Sequence, residues 1–376
     1  MTRDQARQIL ERHRDALNRH DVVALAAMYA EDAVLDSPMF KIVRGRGAIG
    51  ESFERLFALF PDYSITMRDP LFICEGDRAA EFSTVTGTQR TALYGLPPTG
   101  QPIEYHAARL FTFANGLIAY EQRVYDFGGI LERLEKTRID RELATASAVQ
   151  QLLMPQTDLR GAFFEVARAS LPCRAISGDF LEYHHVPSTG FGIALGDVSG
   201  KGPPAALVAA MLHGMLATIF GTLETPGALL GRLNLALLRR NVDERYATLC
   251  HAVLAPDGRL TYSNAGHPPP ILVRTDGPRF LTAGGPILGV FDHAVFPSET
   301  RQLAPGDSLV FYTDGVTDAV TADGREFGVD RLVAAVGAHA WARPAALVDG
   351  LLSAVRQFVG SAAPVDDATI AVIRYR

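Results

Sequence analysis

Five aspartates in the second half of this 376-residue chain share one local setting, beside small or turn-forming residues at the edge of an apolar run. They are Asp179 in SGDF, Asp197 in GDVSGKG, Asp314 in YTDGVTD, and Asp366 with Asp367 in VDDATIAV. A carboxylate where a strand meets a turn projects over the rim of a sheet, and a neighbouring glycine lets a backbone carbonyl or amide approach the same point. If four of them converge at about 5 Å, each pair repels by about 3 kcal/mol at an effective dielectric near 20. Together the pairs cost about as much as the whole stability of a domain, about 5–15 kcal/mol, so cations or protons become necessary. Carboxylates with a backbone carbonyl are hard ligands, suited to Mg2+ or Mn2+ and poorly suited to zinc. Two such ions sharing Asp197 suit in-line displacement at phosphorus, with Lys201 and the amides of SGKG meeting phosphate oxygens. A single aspartate at a turn is far more often an Asx-turn or a cap, so the chemistry depends on convergence.

GDVSGKG has the look of a nucleotide-binding loop but not its spacing. A Walker loop places Gly five residues before the Gly-Lys pair and Ser or Thr after it. Here Leu195 and Gly202 hold those places.

The elements that would carry these residues follow from periodicity. Ala6, Ile9, Leu10, His13 and Leu17 mark one face of a first helix, and Asp21 caps a second with Val23, Leu25 and Met28. A third is expected from Ala48 to Phe60, before Pro61. Strand runs follow in YSITMRD, RAAEFSTVTGTQ, IEYHAARLFTFANG and LIAYEQRVYDF. Helices first and a meander afterwards predict an α+β cone in which a curved sheet wraps the helices and holds a small pocket.

From Asp126 to Met154, ended by Pro155, one amphipathic linker helix is expected. Its stripe of Ile130, Leu131, Leu134, Ile139, Leu143, Val149 and Leu152 drifts from a clean heptad, yet suggests a homodimer formed through this helix. Beyond it, strand blocks interrupted by helix pairs predict two sheets between helix layers. The expected division is 1–128, 129–156 and 157–376.

Composition narrows the function classes. A net charge of −6 speaks against a general nucleic-acid or anionic-membrane binder. The first twenty residues are charged throughout, without an apolar signal core, and the three cysteines suggest no disulfide framework; a cytoplasmic protein is expected. Pro203 to Phe220 approaches the length of a membrane span, but opens on proline after a Gly/Lys turn and carries His213 and Gly214, which predicts a buried core helix.

The motifs SGDF, ALGDVSGKGPPAALVAAML, ATLCHAVLAPDGRLTYSNAGHPPPILV, GGPILGV, DSLVFYTDGVTDA and DDATIAV occur in the order typical of the bacterial SpoIIE/RsbU branch of metal-dependent (PPM, type 2C) protein serine/threonine phosphatases, which residues 145–376 resemble. The resemblance implies an α/β/β/α sandwich, two Mn2+ or Mg2+ ions, and hydrolysis of phosphoserine or phosphothreonine on a signalling protein, an anti-sigma-factor antagonist. By it, Asp197 bridges both metals with help from the Val198 carbonyl. Asp314 and Asp366 hold the first ion, and Asp179 serves the second; the choice between Asp366 and Asp367 stays open. Ser199, Lys201, Asn264 and His267 become candidates for positioning phosphate or substrate. Ser199 stands where animal type 2C enzymes carry a histidine, which leaves the proton donor unassigned. His267, in NAGH before three prolines, is a candidate for it and equally a structural turn residue.

Residues 5–135 resemble a SnoaL-like domain of the nuclear transport factor 2-like superfamily, through LNRHDVVALAAMYAEDAVLDSPMF and GLPPTGQPIEYHAARLFTFANGLIAYEQRVYDFGGILERL. The cyclases of that group use a pocket aspartate and histidine, for which Asp126 and His106 are the nearest candidates here. Fused to a phosphatase, the domain is expected to sense an unidentified small molecule. Two rivals remain: a silent phosphoprotein-binding regulator, and a bifunctional protein with cyclase-like activity in the first domain.

Overall fold

Capping fixes the first element. Thr2 and Gln5 form a reciprocal capping box for helix α1 (Arg3–Asn18), which buries Ala6, Ile9, Leu10, His13 and Leu17, the face expected from its spacing. The computed structural model describes all residues except 156–157, 174, 187–189, 220–224 and 241–244, and the side chains of 68–71 are likewise set aside. The chain divides into two compact units, Met1–Glu142 and Leu143–Arg376.

In the first unit Asp21 caps α2 (Val22–Ala27) by accepting from the Ala24 amide at 2.9 Å. That helix is shorter than its sequence suggests, and Val23, expected on the buried face, is 81% exposed. The chain turns instead into β1 (Tyr29–Ser37) and β2 (Lys41–Arg44), which the acidic run AEDAV had masked. Then come α3 (Arg46–Leu59), β3 (Ser64–Glu75), β4 (Arg78–Thr88), β5 (Pro102–Ala114) and β6 (Leu117–Val124). The sheet runs β2-β1-β6-β5-β4-β3, with β1 and β6 parallel. Its concave side closes over Leu10, Leu17, Phe53, Phe60 and Phe111.

Helix α4 (Phe127–Leu153) begins where the Asp126 carboxylate accepts from the Gly129 amide at 2.8 Å. It buries Phe127, Ile130 and Leu134, while Ile139, Val149 and Leu152 of the expected stripe are exposed. The expected continuation to 156 ends outside the described residues.

The second unit is built in layers, and strand period 2 shows them. It contains β7 (Leu159–Arg160), β8 (Phe164–Leu171), β9 (Phe180–Val186), β10 (Gly190–Val198), α5 (Pro203–Ile219) and α6 (Pro226–Arg240). Next are β11 (Ala247–Leu254), β12 (Arg259–Ala265), β13 (Ile271–Arg274), β14 (Gly277–Phe280), β15 (Gly284–Gly285), β16 (Glu299–Gln302) and β17 (Ser308–Tyr312). Helices α7 (Asp314–Thr317), α8 (Gly328–Ala338) and α9 (Pro344–Val359) precede the final β18 (Ala368–Tyr375). One sheet runs β15-β12-β11-β10-β9 with β16 also on β12, and the other β14-β13-β17-β18-β8-β7.

Strand β18 sends Ile370 and Val372 toward the core under α8 and α9, and Ala371 and Ile373 toward the core between the sheets. Strand β10 likewise gives Ile193 and Leu195 to the inter-sheet core and Ala194 and Val198 to the core under α5 and α6. Both faces of both sheets are therefore covered, which explains near-continuous apolar strands. The result is α+β overall, with an α/β/β/α sandwich in the second unit.

Helix α5 buries one face, with Ala205, Val208, Leu212 and Leu216, while Leu207 on the other is 72% exposed, so it is an amphipathic outer-layer helix and not the wholly buried one expected; His213 at its middle pairs with Glu182 at 2.6 Å. Among the described residues no helix is long and apolar enough to cross a membrane. Phe220, the expected end of α5, lies outside them.

Candidate functional site

Strand ends place the acidic residues. Asp197 is the penultimate residue of β10, Asp314 opens α7 directly after β17, Asp366 and Asp367 precede β18, and Asp179 precedes β9. The sandwich thus brings one rim of each sheet together. Asp179 is buried, and its Oδ2 accepts from Thr313 Oγ1 at 2.9 Å and Thr369 Oγ1 at 2.6 Å, side chains of the opposite sheet. Burial and the Asp197 charge push its carboxyl well above the usual range.

Asp197 feels the ring most directly. Burial, then Asp314, Asp366 and Asp367, push its carboxyl up to about 7. Burial, Asp318 and Asp366 push Asp314 upward too. Lys201 alone among the candidates brings positive charge, with Nζ 2.8 Å from Asp366 Oδ2.

Glycines let the backbone close on this ring. A Cβ at Gly178 would stand 2.9 Å from both Asp197 Oδ1 and the Val198 carbonyl oxygen, so only glycine leaves that carboxylate and carbonyl room. In GDVSGKG, Gly200 and Gly202 take φ of +91° and +77°, and the turn carries Lys201 over to Asp366. Gly178→Ala is therefore expected to lower manganese-dependent turnover by about 10²-fold, as for other misplacements of about 1 Å, and to lower the melting temperature as well, because one of the two clashing atoms is backbone. Phosphate release and a thermal melt on one sample would check it.

Asp366 and Asp367 differ in what their oxygens do. Asp367 is buried and accepts from the Cys173 amide at 2.7 Å and the Gly178 amide at 3.2 Å, so it braces backbone. Asp366, half-buried, faces Lys201. Among the described residues the tightest group of potential metal donors is Cys173, Asp366 and Asp367, within 4.8 Å of one another. Burial and Asp367 push that thiol up to about 11, so it is protonated and a poor partner for a hard cation. What remains is an all-oxygen set of Asp179, Asp197, Asp314 and Asp366 with the Val198 carbonyl, whose mutual repulsion and hardness fit Mg2+ or Mn2+.

Other candidates are committed elsewhere. Ser199 Oγ accepts from the Tyr246 amide at 3.0 Å, tying the loop to the start of β11. Asn264 clasps the backbone of His267, accepting from its amide at 2.7 Å and donating to its carbonyl at 2.8 Å. His267 itself is buried, its Nδ1 lies 2.9 Å from Thr248 Oγ1, and burial pushes it down to about 3. An enclosed imidazole held in its neutral form fits the structural turn reading better than that of a proton donor.

Sequence reasoning missed Thr313, Thr369 and the bracing role of Asp367. Each lies inside a quoted motif, YTDG or DDAT, and the only available signal was a hydroxyl one residue before, or three after, a candidate ligand.

In the first unit the structure does not bring His106 and Asp126 into the cone. On β5 the buried positions include Ile103, Ala107, Arg109, Phe111 and Phe113, so His106 faces outward, 3.1 Å from Thr84 Oγ1. Asp126 is exposed and occupied as the cap of α4.

The interior is instead crossed by buried charge. Arg109 donates to Glu121 Oε1 through Nε at 3.1 Å and Nη2 at 3.0 Å, and to Glu81 Oε1 through Nη1 at 3.0 Å. Arg123 donates to Glu121 at 2.8 Å, and Arg14 pairs with Glu81. Because a guanidinium can only donate, Arg109 Nη2, 3.0 Å from His13 Nδ1, makes that nitrogen the acceptor. His13 Nε2 then donates to the Tyr29 hydroxyl at 2.9 Å, and Tyr29 donates to Glu121. Burial, then the Arg109 charge, hold His13 well below its usual value and neutral.

The family profile described as Stage II sporulation protein E (SpoIIE) matches residues 187–376. This chain belongs to the SpoIIE family. Asp197, Asp314 and Asp366 fall within the matched segment, and Asp179 just upstream. A SnoaL-like domain profile matches residues 10–121. Phosphoserine phosphatase RsbU of Bacillus subtilis is 31% identical over 191 residues, covering 50% of this chain and 56% of RsbU. Protein IcfG of Synechocystis is 27% identical over 229 residues, covering 53% of this chain and 36% of IcfG. This chain thus spans about half or less of the curated relatives it matches. The solved SiaA-PP2C domain of Pseudomonas aeruginosa, 20% identical, superposes with a TM-score of 0.57 over 64% of this chain and 98% of that domain, which shows the shared sandwich fold.

Proposed function

We propose that the SpoIIE domain is a metal-dependent phosphatase acting on phosphoserine or phosphothreonine in a signalling protein. One observation carries the reading: carboxylates from four separate chain segments converge on a rim where Asp197 is pushed up to about 7 by burial and its neighbours. Asp197, the Val198 carbonyl, Asp314 and Asp366 would hold the divalent cations, with Asp179 held ready by Thr313 and Thr369. Such cations supply Lewis acidity toward water and phosphoryl oxygen. Lys201 brings a positive charge beside Asp366 for a phosphate oxygen. Relatives named phosphoserine phosphatase, RsbU and RsbP of Bacillus subtilis, support the same chemistry; the partner in this reading, an anti-sigma-factor antagonist, rests on the motif resemblance alone.

The first unit is the input in this reading, a small-molecule sensor joined to the catalytic domain by α4. Gln150, near the end of that helix, accepts from the Ser177 amide at 2.9 Å and donates to the Ser177 carbonyl at 2.7 Å, two residues before Asp179. A ligand that favours one position of the helix would act on the acidic rim through this bracket. The exposed Ile139, Val149 and Leu152 support a homodimer along α4.

Phosphate release from a phosphoserine protein is expected with manganese, to vanish with chelator, and to return on readdition. Full activity in chelator would end the metal-dependent reading.

A further inference from the structure

Beside the acidic rim the second unit carries an apolar cavity of about 270 Å³ between the end of α9, the 360–365 segment, α7 and the end of β8. Leu171, Ala319, Val320, Val355, Val359 and Ala363 line it, and Asp366 and Gly315 form the wall it shares with the rim. Gly315 packs directly on the backbone there: a Cβ on it would come within 2.0 Å of the Asp367 carbonyl oxygen. Arg356, exposed at the lip, makes no ion pair among the described residues.

Resting on the phosphatase reading, we propose that this cavity is a substrate subsite that receives one apolar side chain of the phosphoprotein, close in sequence to the phosphorylated residue. A volume of about 270 Å³ lies at the small end for free ligands, about 300 Å³ and upward, and fits a single side chain. Adjacency decides the register. A segment whose phosphate reaches Asp366 and Lys201 passes the cavity mouth within about 3.3 Å per residue, so only the nearest flanking positions can enter. Polarity decides the chemistry, since an acidic or amide side chain there would lose water without gaining a partner. Arg356 at the lip suits an acidic residue of the same segment that stays in solvent.

The test walks a single leucine through the positions flanking phosphoserine in otherwise Gly/Lys peptides, with the full chain in manganese. One register is expected to exceed the leucine-free peptide by about tenfold in kcat/KM. Ala363→Trp, filling the cavity from its exposed lip, is expected to cut that preference to about twofold or less. Turnover of an aryl phosphate, which has no flanking residues, should stay unchanged and so report an intact fold and centre. Ala362→Phe repeats the fill from the adjacent position should Ala363→Trp not fold. Absence of any preferred register, or a preference surviving the fill, overturns the subsite. Peptide affinities, titrated with the same series, answer without turnover: if no substrate releases phosphate, the phosphatase reading falls, while a register-dependent affinity lost on filling upholds the cavity and its absence sinks it.

Discussion

Asp197→Asn should lower manganese-dependent kcat/KM by about 10³-fold, near the upper range for removing one charge-stabilising group from a reaction centre. The amide has the shape of the carboxylate but no charge, and its neutral oxygen is a weak ligand for a hard cation. The same substitution should stabilise the chelated chain. Asp197 stands against Asp314, Asp366 and Asp367, and removing one member of that ring relieves like-charge repulsion. A rise of about 2–4 °C in melting temperature corresponds to about 1 kcal/mol in a unit of this size. Opposite signs for activity and stability separate a functional carboxylate from a folding one. A mutant that melts lower and still turns over would remove Asp197 from the centre.

Arg109→Met in the first unit should cost about 3–5 kcal/mol at pH 7, the usual consequence of removing one partner of a buried ionic group. The substitution fills similar space, so the loss reports charge. Glu81 loses one of its two arginines, and Glu121 keeps only Arg123. Burial pushes Glu121 upward, but Arg123 and Arg109 outweigh it and hold the carboxyl well below the usual range. A depressed folded value means that this stabilisation is present above the unfolded value of about 4.3 and is lost as pH falls through the folded one. The gap between wild type and Arg109→Met should therefore narrow below pH of about 4.

Adding Glu81→Gln and Glu121→Gln to Arg109→Met should not restore the loss, because Arg14 and Arg123 would then be left without their carboxylates in turn. Hydrogen exchange of the β4, β5 and β6 amides reads this unit separately from the rest of the chain. A cost under about 1 kcal/mol would mean that water or rearrangement satisfies the carboxylates.

Local pattern was enough for much of this protein. The change from helical to strand period placed α1, α3, β4, β5, α4 and the final strand, since each buries one face at a regular spacing. Failure came where the local signal was ambiguous. No strand was expected at AEDAVLDS, because its charges hide Ala33 and Leu35, which are buried where β1 pairs with β6. In the first unit a histidine and an aspartate were picked by type, but strand register turned His106 outward and a helix start claimed Asp126.

By itself the sequence determined the motifs, their order and the hard-ligand character of the aspartates, properties that reside in residue type and spacing. Tertiary structure decided that Asp367 accepts from the Cys173 and Gly178 amides while Asp366 faces Lys201, that Thr313 and Thr369 clamp Asp179, and that His267 is sealed in. It also put an apolar cavity behind the wall of Asp366. The clamp on Asp179 joins residues far apart in the chain, 134 positions for Thr313 and 190 for Thr369. Contacts across that distance arise only when two sheets pack face to face, and no periodicity along one strand can encode which rims will meet.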